Sequence, residues 1–154
     1  MLSDNEIQEI NSELTHCATK QSASVEALNI VQRHRGWVSD DAIRDVAAIL
    51  DMTADELDAV ATFYSFIFRK PVGRHIILVC DSISCWVMGY NPLLDVIMKK
   101  LGIGFGETTG DSKFTLLPIS CIGACDRAPA MMVDEDLHGP VTPEKIDEIL
   151  DRYQ

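Results

Sequence analysis

Through the first 65 positions apolar residues recur at i, i+3, i+4 and i+7, the spacing of one helical face, and a start signal precedes each run. Four consecutive helices are predicted. Ser3 and Glu6 have capping-box spacing ahead of Ile7, Ile10 and Leu14, while Ser24 is placed to cap a second helix carrying Val25, Leu28 and Val31 and stopping at Gly36. Ser39 precedes Asp40, Asp41 and the stripe Ile43, Val46, Ala47 and Leu50. Thr53 and Glu56 make another capping box before Leu57, Val60, Ala61 and Tyr64. These helices are expected to form a small bundle over residues 1–70.

The pattern changes in FIFRKPVGRH, residues 66–75, where Pro71 and Gly73 interrupt helix and mark a boundary, leaving 71–154 as a second domain. HIILVC at 75–80 reads as a buried strand, and Pro92 to Leu101 carries the helical stripe Leu94, Ile97, Met98 and Leu101. After a glycine-containing loop, FTLLPIS at 114–120 reads as a second strand, though Pro118 lacks a ladder donor. Residues 75–120 thus predict a βαβ unit. Ala130–Val133 predicts a third strand, DEDLHGP a hairpin turn, and Val141 the start of a short fourth strand. Thr142 is placed to cap a last helix with Pro143 in its first position and Ile146, Ile149, Leu150 and Tyr153 on its apolar face. The fold class expected is α+β: a helical bundle, then a βαβββα arrangement with a mixed sheet.

Composition adds limits. A hydrophobic fraction of 47% and a charged fraction of 24% are those of a globular chain, and no apolar run approaches the roughly 18 residues of a membrane span. Thirteen Lys and Arg against 24 Asp and Glu leave a net charge of -11, which disfavours nucleic acid as a partner and favours another protein. MLSDNEIQEI lacks the basic and apolar parts of an export signal, so a cytoplasmic location is expected and the five cysteines should stay reduced.

Four of them form a pattern: Cys80-x4-Cys85, then 35 intervening residues, then Cys121-x3-Cys125. Each pair follows a predicted strand. Parallel strands of one βαβ unit end at the same sheet edge, so two pairs distant in sequence become neighbours. Four thiolates meeting there could bridge two irons, with Ser82, Ser84, Gly123 and Ala124 letting the backbone approach and Gly123 free to take positive φ. The same thiols could instead hold one zinc in a redox-inert interaction module, or carry out thiol–disulfide exchange, although C-x-x-C is absent. Asp81 and Asp126 beside the pairs would favour a low potential, with Arg127 opposing them.

The remaining candidates read as structural. Cys17 is unpaired in sequence and is expected to be a partly buried apolar residue. His16, His34, His75 and His138 are scattered and read as surface or packed imidazoles. Phe63, Tyr64, Phe66 and Phe68 could be core packing between the two domains or part of a surface that receives a partner subunit, and core is favoured because Tyr64 continues a helical stripe.

The segments IVQRHRGWVSDDAI, VATFYSFIFRKPVGRH, CDSISC, FTLLPISCIGAC, MMVDEDLHG and ILDRY together resemble the family of 24-kDa-type subunits of respiratory NADH:quinone oxidoreductase, complex I, whose bacterial members are its E-type subunits. The resemblance covers nearly the whole chain. It implies a thioredoxin-like ferredoxin domain behind the helical bundle, with Cys80, Cys85, Cys121 and Cys125 binding one 2Fe-2S cluster. It further implies an electron-transport role within an NADH dehydrogenase that delivers electrons to quinone. The neighbours would be the FMN/NADH-binding subunit of complex I and, next to it, an iron-sulfur subunit. The location would be the peripheral arm at the cytoplasmic face of the inner membrane, without membrane insertion. NADH and FMN would belong to the partner, since Gly102, Gly104 and Gly106 follow a helix and lack G-x-G-x-x-G spacing. The isolated chain should not oxidise NADH. Related modules in NAD-linked hydrogenases and formate dehydrogenases are the alternative hosts.

Overall fold

The computed structural model describes residues 1–153, which fall into two compact units meeting in sequence at Pro71 and Val72. The first holds α1 (Asp4–Leu14), α2 (Ser24–Arg35), α3 (Asp40–Leu50) and α4 (Ala54–Phe63). Ser3–Glu6 and Thr53–Glu56 both form reciprocal capping boxes, Ser39 accepts from the Ala42 N–H, and Gly36 ends α2 in the left-handed conformation. Ile10, Leu28, Val31, Val46, Leu50 and Leu57 make a shared core, against which Cys17 packs half-buried. Burying this set is the main force holding the helices together.

Two polar clamps secure the unit. Glu6, almost fully buried, receives Arg35 Nε at 2.6 Å and Nη2 at 2.7 Å, together with the Ser3 hydroxyl and amide. The Arg35 hydrogen bonds outweigh burial and hold the Glu6 carboxyl down at about 2. Beyond α4, Arg69 pairs with Asp58 at 2.7 Å and Asp40 at 2.6 Å. Gln32 meanwhile bonds both the Phe66 carbonyl and the Phe68 amide.

Two expectations fail in this unit. Ser24 is the first residue of α2 rather than its cap; a 3-10 turn over Lys20–Ala23, capped by Thr19, leads into the helix instead. The assignment of the aromatic run to core is also overturned. α4 stops at Phe63 and Tyr64 turns extended, so Phe63, Tyr64 and Phe66 are exposed, Phe68 is half-buried and Ile67 takes the buried position. A helical stripe loses its meaning once the helix ends.

The second unit is a four-stranded mixed sheet in the order β2-β1-β3-β4. β1 (His75–Cys80) pairs in parallel with β2 (Phe114–Ile119) and antiparallel with β3 (Met131–Val133), which pairs antiparallel with β4 (Asp136–His138). α5 (Ile83–Val87) and α6 (Tyr90–Leu101) make the crossover from β1 to β2, and α7 (Ile146–Leu150) closes the unit. Pro118 is tolerated because β2 is an edge strand. Ile77, Val79, Leu116, Met131 and Val133 pack with Leu93 and Ile97 of α6 and Ile146, Ile149 and Leu150 of α7. The mixed α+β architecture is the one expected.

Three details differ from expectation. The five-residue α5 lies in a stretch read as loop. The fourth strand is Asp136–His138, inside the stretch assigned to the turn, which shrinks to Asp134 and Glu135; Val141 is buried but outside the strands. Thr142 starts a 3-10 turn, Pro143–Lys145, rather than capping α7 directly, and its side chain makes no cap bond. The histidines behave as packed or surface groups. His16 and His34 are exposed, His75 Nδ1 lies 2.7 Å from Asp134, and His138 Nε2 lies 2.8 Å from the Tyr153 hydroxyl. Tyr153 donates its one proton to Asp136 at 2.9 Å, so His138 must donate to Tyr153. Burial pushes Tyr153 up to about 12 and keeps His138 below its ordinary value.

Candidate functional site

β1 and β2 run parallel with Cys80 opposite Ile119, so the chain leaves both strands at the same edge of the sheet. The Asp81 N–H donating to the Ile119 carbonyl at 3.0 Å ties the two exits together. Strand alternation then decides where the first thiol goes. Ile77 and Val79 enter the core with α6 and α7, so Cys80, one residue further, points to the opposite face.

There it joins a second, smaller apolar cluster. Cys80 and Cys85 are 3% and 1% exposed and pack with Ala124, Ala128 and Ala130, with Ile119 and Ile122 at the margin. Alanines leave room around the sulfurs that larger side chains would fill. The Cys80 N–H donates to the Ala130 carbonyl at 3.2 Å, fixing the end of β1 against the strand that follows the second cysteine pair.

α5 positions the second thiol. The Trp86 N–H bonds the Ser82 carbonyl at 2.9 Å and the Met88 N–H bonds Ser84 at 3.1 Å, closing little more than one turn. That turn directs Cys85 inward and leaves Ile83, Trp86, Val87 and Met88 exposed. Cys85 therefore sits on a helix rather than the expected loop. Its apolar outer face had no signal in the sequence, because five residues are too few to display a period.

The second pair lies on the segment after β2. Gly123 takes φ +75°, the left-handed conformation expected of it, and donates its N–H to Cys121 Sγ at 3.4 Å. Cys125 opens the 3-10 turn Cys125–Arg127, where the Arg127 N–H returns to the Ala124 carbonyl at 3.0 Å. Cys121 and Cys125 are exposed. Cys125 also lines a shallow depression of about 410 Å³ with Ile83, Ser84, Val87 and Met88.

Electrostatics link three of the four sulfurs. Burial pushes the Cys85 thiol up, a hydrogen bond to the Ala130 backbone opposes the rise, and Cys80 and Cys125 lift it further. Cys80, Cys85 and Cys125 thus share one neighbourhood, and Cys121, four positions before Cys125, is exposed on the segment that leaves β2. Among the described residues no three His, Cys, Asp or Glu side chains gather about a single ion. A two-iron cluster asks for something else, two thiolates on each iron with backbone N–H groups on its sulfurs. Cys80, Cys85, Cys121 and Cys125, with the Gly123 N–H donating to Cys121 Sγ, are a donor set that would suit such a group.

Residues 7–154 match the family model for thioredoxin-like [2Fe-2S] ferredoxins. The chain belongs to this family. It is 50% identical over 153 residues to the E-type subunit of NADH-quinone oxidoreductase from Pseudomonas aeruginosa, spanning 99% of this chain and 92% of the relative. The same identity and coverage hold for the corresponding protein of Escherichia coli strain K12. Its counterpart in Buchnera aphidicola subsp. Baizongia pistaciae is 42% identical over 146 residues, spanning 95% of this chain and 85% of the relative. Among solved structures, the air-oxidized NAD+-reducing [NiFe]-hydrogenase superposes on 86% of this chain with a TM-score of 0.73 at 23% identity. This ferredoxin-family chain matches 23% of that hydrogenase chain, a likeness of fold.

Proposed function

We propose that this thioredoxin-like ferredoxin is the E-type subunit of an NADH:quinone oxidoreductase, a one-electron carrier whose cluster is held by Cys80, Cys85, Cys121 and Cys125. The observation that carries the reading is the pairing of strand-end thiols at one sheet edge in a chain matching relatives of that type along almost its whole length. Division into residues 1–70 and 71–154 puts all four ligands in the second domain. When bound, a 2Fe-2S group stores one electron by reducing one of its two ferric irons.

The chain's own residues supply the rest. Cys80 and Cys85 would anchor the group from the buried side, where the three alanines pack against them and keep water out. The Gly123 N–H gives a hydrogen bond that stabilises negative charge on sulfur. Cys121 and Cys125, both exposed, would hold it from the side that a partner can approach. The partner is the flavoprotein of the complex, which binds NADH and FMN, and a cluster held by these thiolates would accept one electron from its reduced flavin. A further iron-sulfur protein lies next in the same complex, in the peripheral arm at the cytoplasmic face of the membrane. No helix among the described residues is long and apolar enough to cross a membrane.

Anaerobic addition of NADH to the purified protein, alone and with the NADH/FMN-binding flavoprotein, tests the reading. The cluster is expected to bleach only when the flavoprotein is present. Bleaching of the isolated chain by NADH, or no bleaching of the pair, would overturn it.

A further inference from the structure

The four paired thiols differ in access and in how firmly the chain holds them. Cys80 and Cys85 are almost fully buried, whereas Cys121 and Cys125 are open to solvent. The buried pair is also the anchored one. Cys80 ends β1 with its N–H on the Ala130 carbonyl, and the hydrogen-bonded turn of α5 carries Cys85. Among the described residues, 120–126 make no backbone hydrogen bond to another segment; their bonds are the local ones from Gly123 to Cys121 Sγ and from Arg127 to Ala124. An exposed stretch with so few fixed bonds opens locally at low cost. Ile122 and Ala124, which pack in the cluster with the buried sulfurs, belong to that stretch.

Reaching Cys80 or Cys85 from solvent therefore requires the stretch that bears the other two thiols to move aside. Resting on the electron-carrier reading above, we infer that the chain takes up its two-iron group in a fixed order. Cys121 and Cys125 bind first, and Cys80 and Cys85 bind afterwards as residues 120–126 settle back onto the alanine cluster. The reverse order would bring the group to two sulfurs that expose almost no surface. The exposed pair thus sets the rate of loading, and the buried pair sets how long the group is kept. The supplying reaction is thiolate exchange with a carrier that holds the group by sulfur. Each S–Fe bond the chain forms replaces one to the carrier, the proton of the chain's thiol passes to the departing thiolate, and no iron changes oxidation state. Packing among alanines then shields the bonds of the second pair from water and competing thiols.

The test mixes the full chain, freed of iron, anaerobically with a 2Fe-2S complex of glutathione, follows uptake by visible circular dichroism, then adds a chelator and follows loss. Cys121→Ser and Cys125→Ser are expected to slow uptake about tenfold or more. Cys80→Ser and Cys85→Ser should load within about twofold of the wild-type rate and lose the group about tenfold or more faster. A second measurement needs no variant. Iodoacetamide should alkylate Cys121 and Cys125 of the iron-free wild type about tenfold or more faster than Cys80 and Cys85, read by mass spectrometry of the peptides. Equal alkylation of all four, uptake slowed alike at all four positions, or uptake slowed only by Cys80→Ser and Cys85→Ser would overturn the order. Wild-type protein that acquires no cluster signal at all would instead overturn the electron-carrier reading.

Discussion

A Cβ built on Gly139 would lie 2.5 Å from the carbonyl oxygen of Arg127. The loop entering Val141 is therefore pressed against the 3-10 turn that begins with Cys125, and the Val141 N–H fastens it to Pro129 at 2.9 Å. Neither partner can yield cheaply, because the clash is with backbone. Gly139→Ala is expected to cost about 1–3 kcal/mol in urea unfolding and to hasten cluster loss. Gly110→Ala, which meets nothing within 4 Å and needs no positive φ, should stay within about 0.5 kcal/mol of the wild type.

The Glu6–Arg35 pair gives the helical unit an acid limit. Glu6 takes up its proton near 4.5 in an unfolded chain and only near 2 in the folded one. Between those values the unfolded chain binds more protons, so stability rises with pH there. The contribution, on the order of 3 kcal/mol, is complete above the unfolded value and is lost as pH falls through the folded one. Urea unfolding at stepped pH, followed by helical circular dichroism, should show this slope, and Glu6→Gln should remove most of it. Arg35→Ala leaves a buried carboxylate without its partner and is expected to cost about 3–5 kcal/mol near neutral pH.

Helix starts give a sharper comparison. Thr53 accepts from the Glu56 amide in a closed capping box, whereas Ser24 lies inside α2 and caps nothing. Thermal unfolding is expected to register about 1 kcal/mol for Thr53→Ala and less than about 0.5 kcal/mol for Ser24→Ala. Equal losses would contradict the boundary at Ala23.

Why Thr53 was legible in the sequence and Ser24 was misleading has a physical cause. A capping box is a local pattern that needs only four residues, while Ser24 has a rival start signal in Thr19, whose 3-10 turn Lys20–Ala23 carries no hydrophobic period. β1 was legible to the residue, because an apolar β-branched run bounded by a turn has few other folds. β4 was not: Asp136, Leu137 and His138 form an outer strand with one exposed side, and their polarity reads as a turn. The cysteine pairs were visible through spacing and strand ends. The short α5 and its outward Ile83, Trp86, Val87 and Met88 depend on tertiary packing that five residues cannot announce.

The ligand assignment separates the five cysteines. Cys80 and Cys85 lie in the small apolar cluster at the end of β1 and Cys121 and Cys125 on the exposed segment after β2, whereas Cys17 packs against the core of the helical unit. Replacing any one of the four with Ala is expected to abolish or strongly destabilise the cluster, and Cys17→Ala should leave iron content unchanged.

The central claim, that these four thiolates hold a two-iron cluster, is tested most directly by iron and acid-labile sulfide analysis with EPR on anaerobically purified protein. Reddish-brown protein with two irons and two sulfides per chain, EPR-silent when oxidised and giving an S = 1/2 signal on reduction, is the predicted result. Colourless protein carrying stoichiometric zinc and no reducible signal would contradict it.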